Sequence, residues 1–99
     1  MQKYDKQLVK VNTGDARRDK MADTFMQVFL TPIPDAPLPY DDHDFQIGLC
    51  NIGIQIEKGI FDLHNRFSKI TDEYFSKARS LLFNLKDKSN EELKLRLIN

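Results

Sequence analysis

Apolar residues recur at helical spacing in three long stretches of this chain, and a run of prolines divides the first stretch from the second. From Ala16 onward, Met21, Phe25, Val28 and Phe29 fall at i, i+4, i+7 and i+8. That is one face of a helix ending near Leu30. Thr13-Gly14-Asp15 supplies its start, because Asp15 or Thr13 can accept a hydrogen bond from a free N–H of the first turn. Residues 1–13 show no sustained period. With Leu8, Val9 and Val11 the only apolar side chains after Tyr4, they read as a short helix or a frayed lead-in.

All four prolines, Pro32, Pro34, Pro37 and Pro39, lie between Thr31 and Tyr40, which excludes helix there. With Asp35, Asp41, Asp42 and Asp44 they define a Pro-rich acidic loop over residues 31–44, long for a compact domain. It reads as a solvated connector, with a docking segment for a basic surface as the sharper alternative. Asp42 or Asp44 can cap a second helix, in which Phe45, Leu49, Ile52, Ile56, Ile60 and Leu63 repeat at steps of three and four. Ile47, Ile54 and Phe61 form a second apolar line, so this helix is expected to be the central one. Gly48, Cys50, Gly53 and Gly59 would allow neighbours to approach closely, at some cost in helix propensity.

The pattern breaks over Asn65 to Ile70, and Thr71 or Asp72 restarts it. Tyr74, Ala78, Leu81, Leu82 and Leu85 then sit at i, i+4, i+7, i+8 and i+11, the clearest amphipathic run of the chain. Ser89-Asn90-Glu91-Glu92 matches a capping box for a last helix through Leu93, Leu97 and Ile98. That helix reaches Asn99 without a stop signal, so the domain, residues 14–99, is expected to be truncated there. The fold class expected is all-α: a three-helix bundle with a truncated C-terminal helical stub.

Charge changes the picture more than composition does. Lys+Arg and Asp+Glu number 15 each, so no global basic field makes nucleic acid the default partner. The distribution is uneven, however. Residues 1–30 hold six basic and four acidic groups, residues 31–65 one and six, and residues 66–99 eight and five. The C-terminal third is therefore the side that suits an acidic partner. Arg66, Lys69, Lys77, Arg79, Lys86 and Lys88 cluster on the third helix and its flanks. Arginine's bidentate fork suits an acidic protein surface as well as phosphate. Without interleaved exposed aromatics, a nucleic-acid module using the same face is the weaker alternative. No apolar run reaches the roughly 18 residues of a membrane span, so no membrane partner is expected.

The chemical inventory is thin. His43 and His64 lie far apart, and Asp42-His43-Asp44 is a weak metal candidate at best. A single cysteine, Cys50, rules out a multi-cysteine zinc site, and it reads as a small core residue. No GxGxxG, GxxxxGK[ST] or nucleophile signature occurs, so the chain is expected to be no enzyme and to need no cofactor.

The run Arg79-Ser80-Leu81-Leu82-Phe83-Asn84-Leu85-Lys86-Asp87-Lys88-Ser89-Asn90, followed by Leu93 and Leu97-Ile98, resembles the RS…NLKD…N…L signature of the central domain of transcription elongation factor S-II. Tyr74, five residues before Arg79, fits the family's Y…RS spacing. Ile56-Glu57 with Ile60 resembles its IE..I run, and Arg18-Asp19-Lys20 resembles the R.K of its first helix. Glu91 stands where the family usually carries proline, and the 31–44 loop is longer than the usual first connection. The same turn is similar to the S-II-like domains of larger chromatin proteins that carry a PHD finger and a SPOC domain. The resemblance implies a nuclear, non-catalytic and monomeric module that docks on the jaw region of the largest subunit of RNA polymerase II during elongation. It implies Lys77, Arg79, Lys86 and Lys88 as the partner-binding positions. The zinc ribbon that promotes transcript cleavage in the family cannot be built from one cysteine.

Overall fold

The computed structural model describes residues 9–34 and 36–98. The chain forms α1 (Ala16–Leu30), α2 (His43–His64), α3 (Asp72–Lys86), a single 3-10 turn (Lys88–Asn90) and α4 (Glu91–Ile98). This is the all-α bundle of three main helices with a short fourth that the spacing predicts. The first part of the lead-in, residues 1–8, lies outside the described residues, while Val9 and Val11 pack against the core.

Asp15 is the side chain that caps α1, accepting from the Arg17 N–H at 2.9 Å. Thr13 serves the same turn from outside, donating its N–H and its hydroxyl to the Asp19 carboxylate at 2.9 and 2.7 Å. Gly14 between them has φ +91°, a conformation that glycine adopts without a steric penalty. The buried side of α1 is broader than the predicted stripe. Ala22, Met26 and Leu30 are buried beside Phe25, Val28 and Phe29, and Met21 is only half-buried.

The width of that face follows from α2, which contacts α1, α3 and α4 and is the central helix as expected. Of its small residues, Gly53 alone among the glycines makes a close approach. A Cβ there would lie 2.8 Å from the Met26 N and 3.0 Å from the Met26 Cα, so the two backbones meet directly. Gly48 and Gly59 face open space, which corrects the expectation that all of them ease packing. Cys50 is buried, as read. Leu63 continues the apolar stripe but is 81% exposed.

The Pro-rich loop is two residues shorter than read, since Asp42 caps α2 through the Phe45 N–H at 2.8 Å and the helix begins at His43. It is also no mere solvated connector. Ile33 is 5% exposed, its N–H donates to the Tyr40 hydroxyl at 3.2 Å, and Gln46 holds the Tyr40 carbonyl at 2.8 Å. At the other connection, Arg66 and Lys69 exchange N–H···O=C bonds of 2.9 and 3.0 Å around Phe67 and Ser68. Both turn residues have positive φ, +53° and +64°. This is the pairing of a type I′ hairpin turn, which favours Asn-Gly, yet here it carries a phenylalanine. Thr71 caps α3, and Tyr74, Ala78, Leu82 and Leu85 are buried, with Leu81 half-buried.

The expected Ser89/Glu92 capping box is replaced. Asp87 accepts from the Ser89 N–H at 3.0 Å and from its hydroxyl at 2.8 Å, capping the 3-10 turn that leads into α4. The Asp87 carboxyl is held below its ordinary range chiefly by that backbone bond and then by the hydroxyl bond. Ser89 lies inside the 3-10 turn Lys88–Asn90 and not at the start of α4, so the spacing a capping box needs is lost.

Candidate functional site: a basic surface over a polar core

Three of the family-like positions converge inside the bundle. Glu57 on α2 is 2% exposed. It accepts from Arg18 of α1 through Nε at 2.8 Å and Nη2 at 3.0 Å, and from the Tyr74 hydroxyl of α3 at 2.8 Å. The Arg18 guanidinium also lies over the Phe61 ring, 3.7 Å from its centroid. One carboxylate thus ties all three main helices. Its hydrogen bonds, then its charge, raise the Arg18 pKa. Burial first, then the bond to Glu57, pushes the Tyr74 phenol up. Every buried polar atom of the group has a partner and only the Arg18 side chain reaches solvent, so its work is structural.

The cations outside this core do not form a single patch. Lys77, Arg79, Lys86 and Lys88 are all exposed. At about 100° per residue, Arg79 and Lys86 lie within roughly 20° of one another on α3, while Lys77 lies on the opposite flank of the buried stripe. Arg79 stands 5.9 Å from the centroid of Phe75, one turn earlier. Phe83, one turn later, is 72% exposed. Arg66 and Lys69 belong to the turn before α3. That turn is separated from Lys86 and Lys88 by a helix of 15 residues, about 22 Å long. At this far end Phe67 is 86% exposed, with the Arg66 guanidinium 5.7 Å from its ring centroid. Exposed aromatics therefore do alternate with arginines on this side, contrary to the expectation from sequence. Phe83 and Phe67 read as apolar positions, and only the fold shows which way they face.

Lys86 and Lys88 border a cleft of about 510 Å³ between the end of α1, the proline segment and the α3–α4 turn. Val28, Ile33 and Leu85 contribute its apolar wall, with Pro32 and Pro34 at one side. Lys94 of α4 closes the inner end. It is 6% exposed and donates to the Thr31 carbonyl at 2.6 Å, beyond the last turn of α1. That turn carries no basic residue of its own, so a cation from the far end of the chain meets its partial negative charge. Sequence reading missed Lys94. The only available signal was a lysine between two leucines, and that pattern is ordinary on a helix surface.

The remaining chemical candidates are spent or open. Asp42 is engaged as the α2 cap, and His43 and Asp44 are exposed beside it. Among the described residues no group of three or more His, Cys, Asp or Glu side chains could hold a metal ion. Burial pushes the Cys50 thiol up, away from the reactive thiolate. No helix among the described residues is long and apolar enough to cross a membrane.

The family model of the "Transcription factor S-II (TFIIS), central domain" matches residues 13–99. No curated protein and no solved structure matches the chain. The match takes in α1 through α4, the buried Arg18–Glu57–Tyr74 group and the basic turn after α3. Over nearly its whole length, then, this chain belongs to the family of TFIIS central domains, polymerase-interacting modules of transcription elongation.

Proposed function

We propose that this domain docks on RNA polymerase II in the nucleus during elongation, against the jaw region of the largest subunit, as a monomer and without catalytic activity. The observation that carries the reading is the exposure of Arg79 and Lys86 on one flank of α3 and of Lys88 in the turn after it, in a chain that belongs to this family. Lys77, on the opposite flank of α3, would meet a partner only if the contact wraps around the helix. Docking needs only complementary charge and a fixed backbone. Asp87 and the Arg18–Glu57–Tyr74 tie hold that backbone in place. The single cysteine of these 99 residues leaves transcript cleavage outside the proposal.

A second reading has a specific observation behind it. Arg79, Phe83 and Lys86 present alternating cations and an exposed aromatic, which suits single-stranded nucleic acid. The family match puts protein docking first. Binding of the chain to purified RNA polymerase II, with Arg79→Glu/Lys88→Glu alongside and circular dichroism on both, tests the proposal. Loss of binding at unchanged helicity is the expected result, and undiminished binding refutes this face. In a salt titration against a single-stranded oligonucleotide, a steep log–log slope would favour the second reading.

A further inference from the structure

Among the described residues, one buried charge has no carboxylate paired with it. Lys94 is almost wholly enclosed, yet none of the ion pairs among the described residues includes it. Its ammonium carries three donors, and the Thr31 carbonyl takes one. Burial holds its pKa down, and Glu91, one turn before it on α4, offsets this in part without forming an ion pair. The Thr31 carbonyl and the C-terminal end of α1 meet part of this charge, and a carboxylate could take the two remaining donors and the rest of the charge.

The same lysine lines the cleft described above, whose wall is largely apolar and whose outer edge carries Lys86 and Lys88. We infer that this cleft seats a short extended segment of a protein partner that bears a carboxylate beside an apolar side chain. The apolar side chain lies against Val28, Pro32 and Leu85, and the carboxylate meets the Lys94 ammonium. Flanking acidic residues meet Lys86 and Lys88 at the edge. The volume is that of an ordinary ligand cleft. No aromatic side chain lines it, so a nucleic-acid base has nothing to stack on there.

The inference rests on the docking reading for one point, that the segment belongs to RNA polymerase II, and the experiment separates the two. Two variants address the cleft by independent routes. Lys94→Met removes the charge and keeps an unbranched side chain of similar length. Gln27→Trp, on α1 at the cleft wall, fills the space without changing charge. Each is expected to weaken binding of the whole chain to purified polymerase at least tenfold, with the wild-type circular dichroism spectrum retained. In a parallel arm, NMR titration uses an end-blocked peptide alternating glutamate and leucine, and its counterpart with lysine for glutamate. The acidic peptide alone is expected to shift the amides around Gln27, Val28 and Lys94, and not in Lys94→Met. Polymerase binding undiminished by Gln27→Trp would overturn the cleft and leave docking standing. Absence of polymerase binding by the wild type, with the peptide response intact, would overturn docking and leave the cleft. Were Lys94 only a structural cap, Lys94→Met would lower stability and Gln27→Trp would leave both readouts unchanged, which also overturns the inference.

Discussion

Replacing Glu57 by glutamine probes the polar tie at the centre of the bundle with little change in volume. Glutamine keeps one acceptor oxygen but turns the other into an NH2 group, which faces a donor in the present geometry. The Arg18 side chain is then left mostly buried, at 15% exposure, with half of its fork opposed. Breaking a buried ion pair by removing one partner costs about 3–5 kcal/mol. The remaining acceptor places this substitution near the lower end, about 3 kcal/mol. A domain of this size has a total stability on the order of 5–15 kcal/mol, so the variant should still fold. Each 1 kcal/mol corresponds to about 4–8 °C at this length, so the expected fall in Tm is on the order of 12–24 °C. Urea unfolding followed by circular dichroism measures the loss directly. Tyr74→Phe removes one bond and leaves the bidentate pair, and should cost about 1–2 kcal/mol. A double-mutant cycle with Arg18→Met then measures the coupling between Arg18 and Glu57. If Glu57→Gln lies within about 0.5 kcal/mol of wild type, or the cycle is additive, the tie does not hold the helices and the reasoning fails.

Two further variants test the backbone. Gly53→Ala should destabilise by about 1–3 kcal/mol, because the new methyl meets the Met26 backbone and only a helix shift can relieve it; thermal denaturation reads this, and an unchanged Tm would refute the contact. Phe67→Asn/Ser68→Gly supplies the residues a type I′ turn favours and should raise stability by about 1 kcal/mol or more, measured by the urea midpoint; a loss would show that Phe67 packs in solution.

Much of the fold is written locally. The stripes of α1, α2 and α3 and the caps Asp15, Asp42 and Thr71 can be read from spacing, because each depends on residues within a turn or two. Leu63 misleads for the same reason: a stripe shows which face a helix would bury, and the partner's length decides how far. The Ser89/Glu92 box fails because a 3-10 turn over Lys88–Asn90, capped by Asp87, takes in Ser89 before α4 begins. The Arg18, Glu57 and Tyr74 motifs are legible as family fragments, but their meeting is not, because they sit 39 and 17 residues apart with no repeat linking them. At the candidate site, Lys77, Arg79, Lys86 and Lys88 are legible as charges. Their division between two flanks of α3 requires the helix phase, and the burial of Lys94 requires the packing of α4 on the end of α1.

The seam at Gly53 has a consequence for motion. Where backbone meets backbone there are no rotamers to exchange, so α1 and α2 cannot slide or roll against each other by small side-chain adjustments. The pair behaves as one stiff body. Compliance is displaced to α4, a helix of eight residues held on the end of α1 through Lys94 and by a modest apolar seam. Amide hydrogens in the middle of α1 and α2 should accordingly exchange only on global opening, and those of α4 through a separate, lower-energy release. The NLKD turn lies at the boundary between the two regimes, so the cleft it borders can widen or narrow as α4 moves while its α1 wall stays fixed.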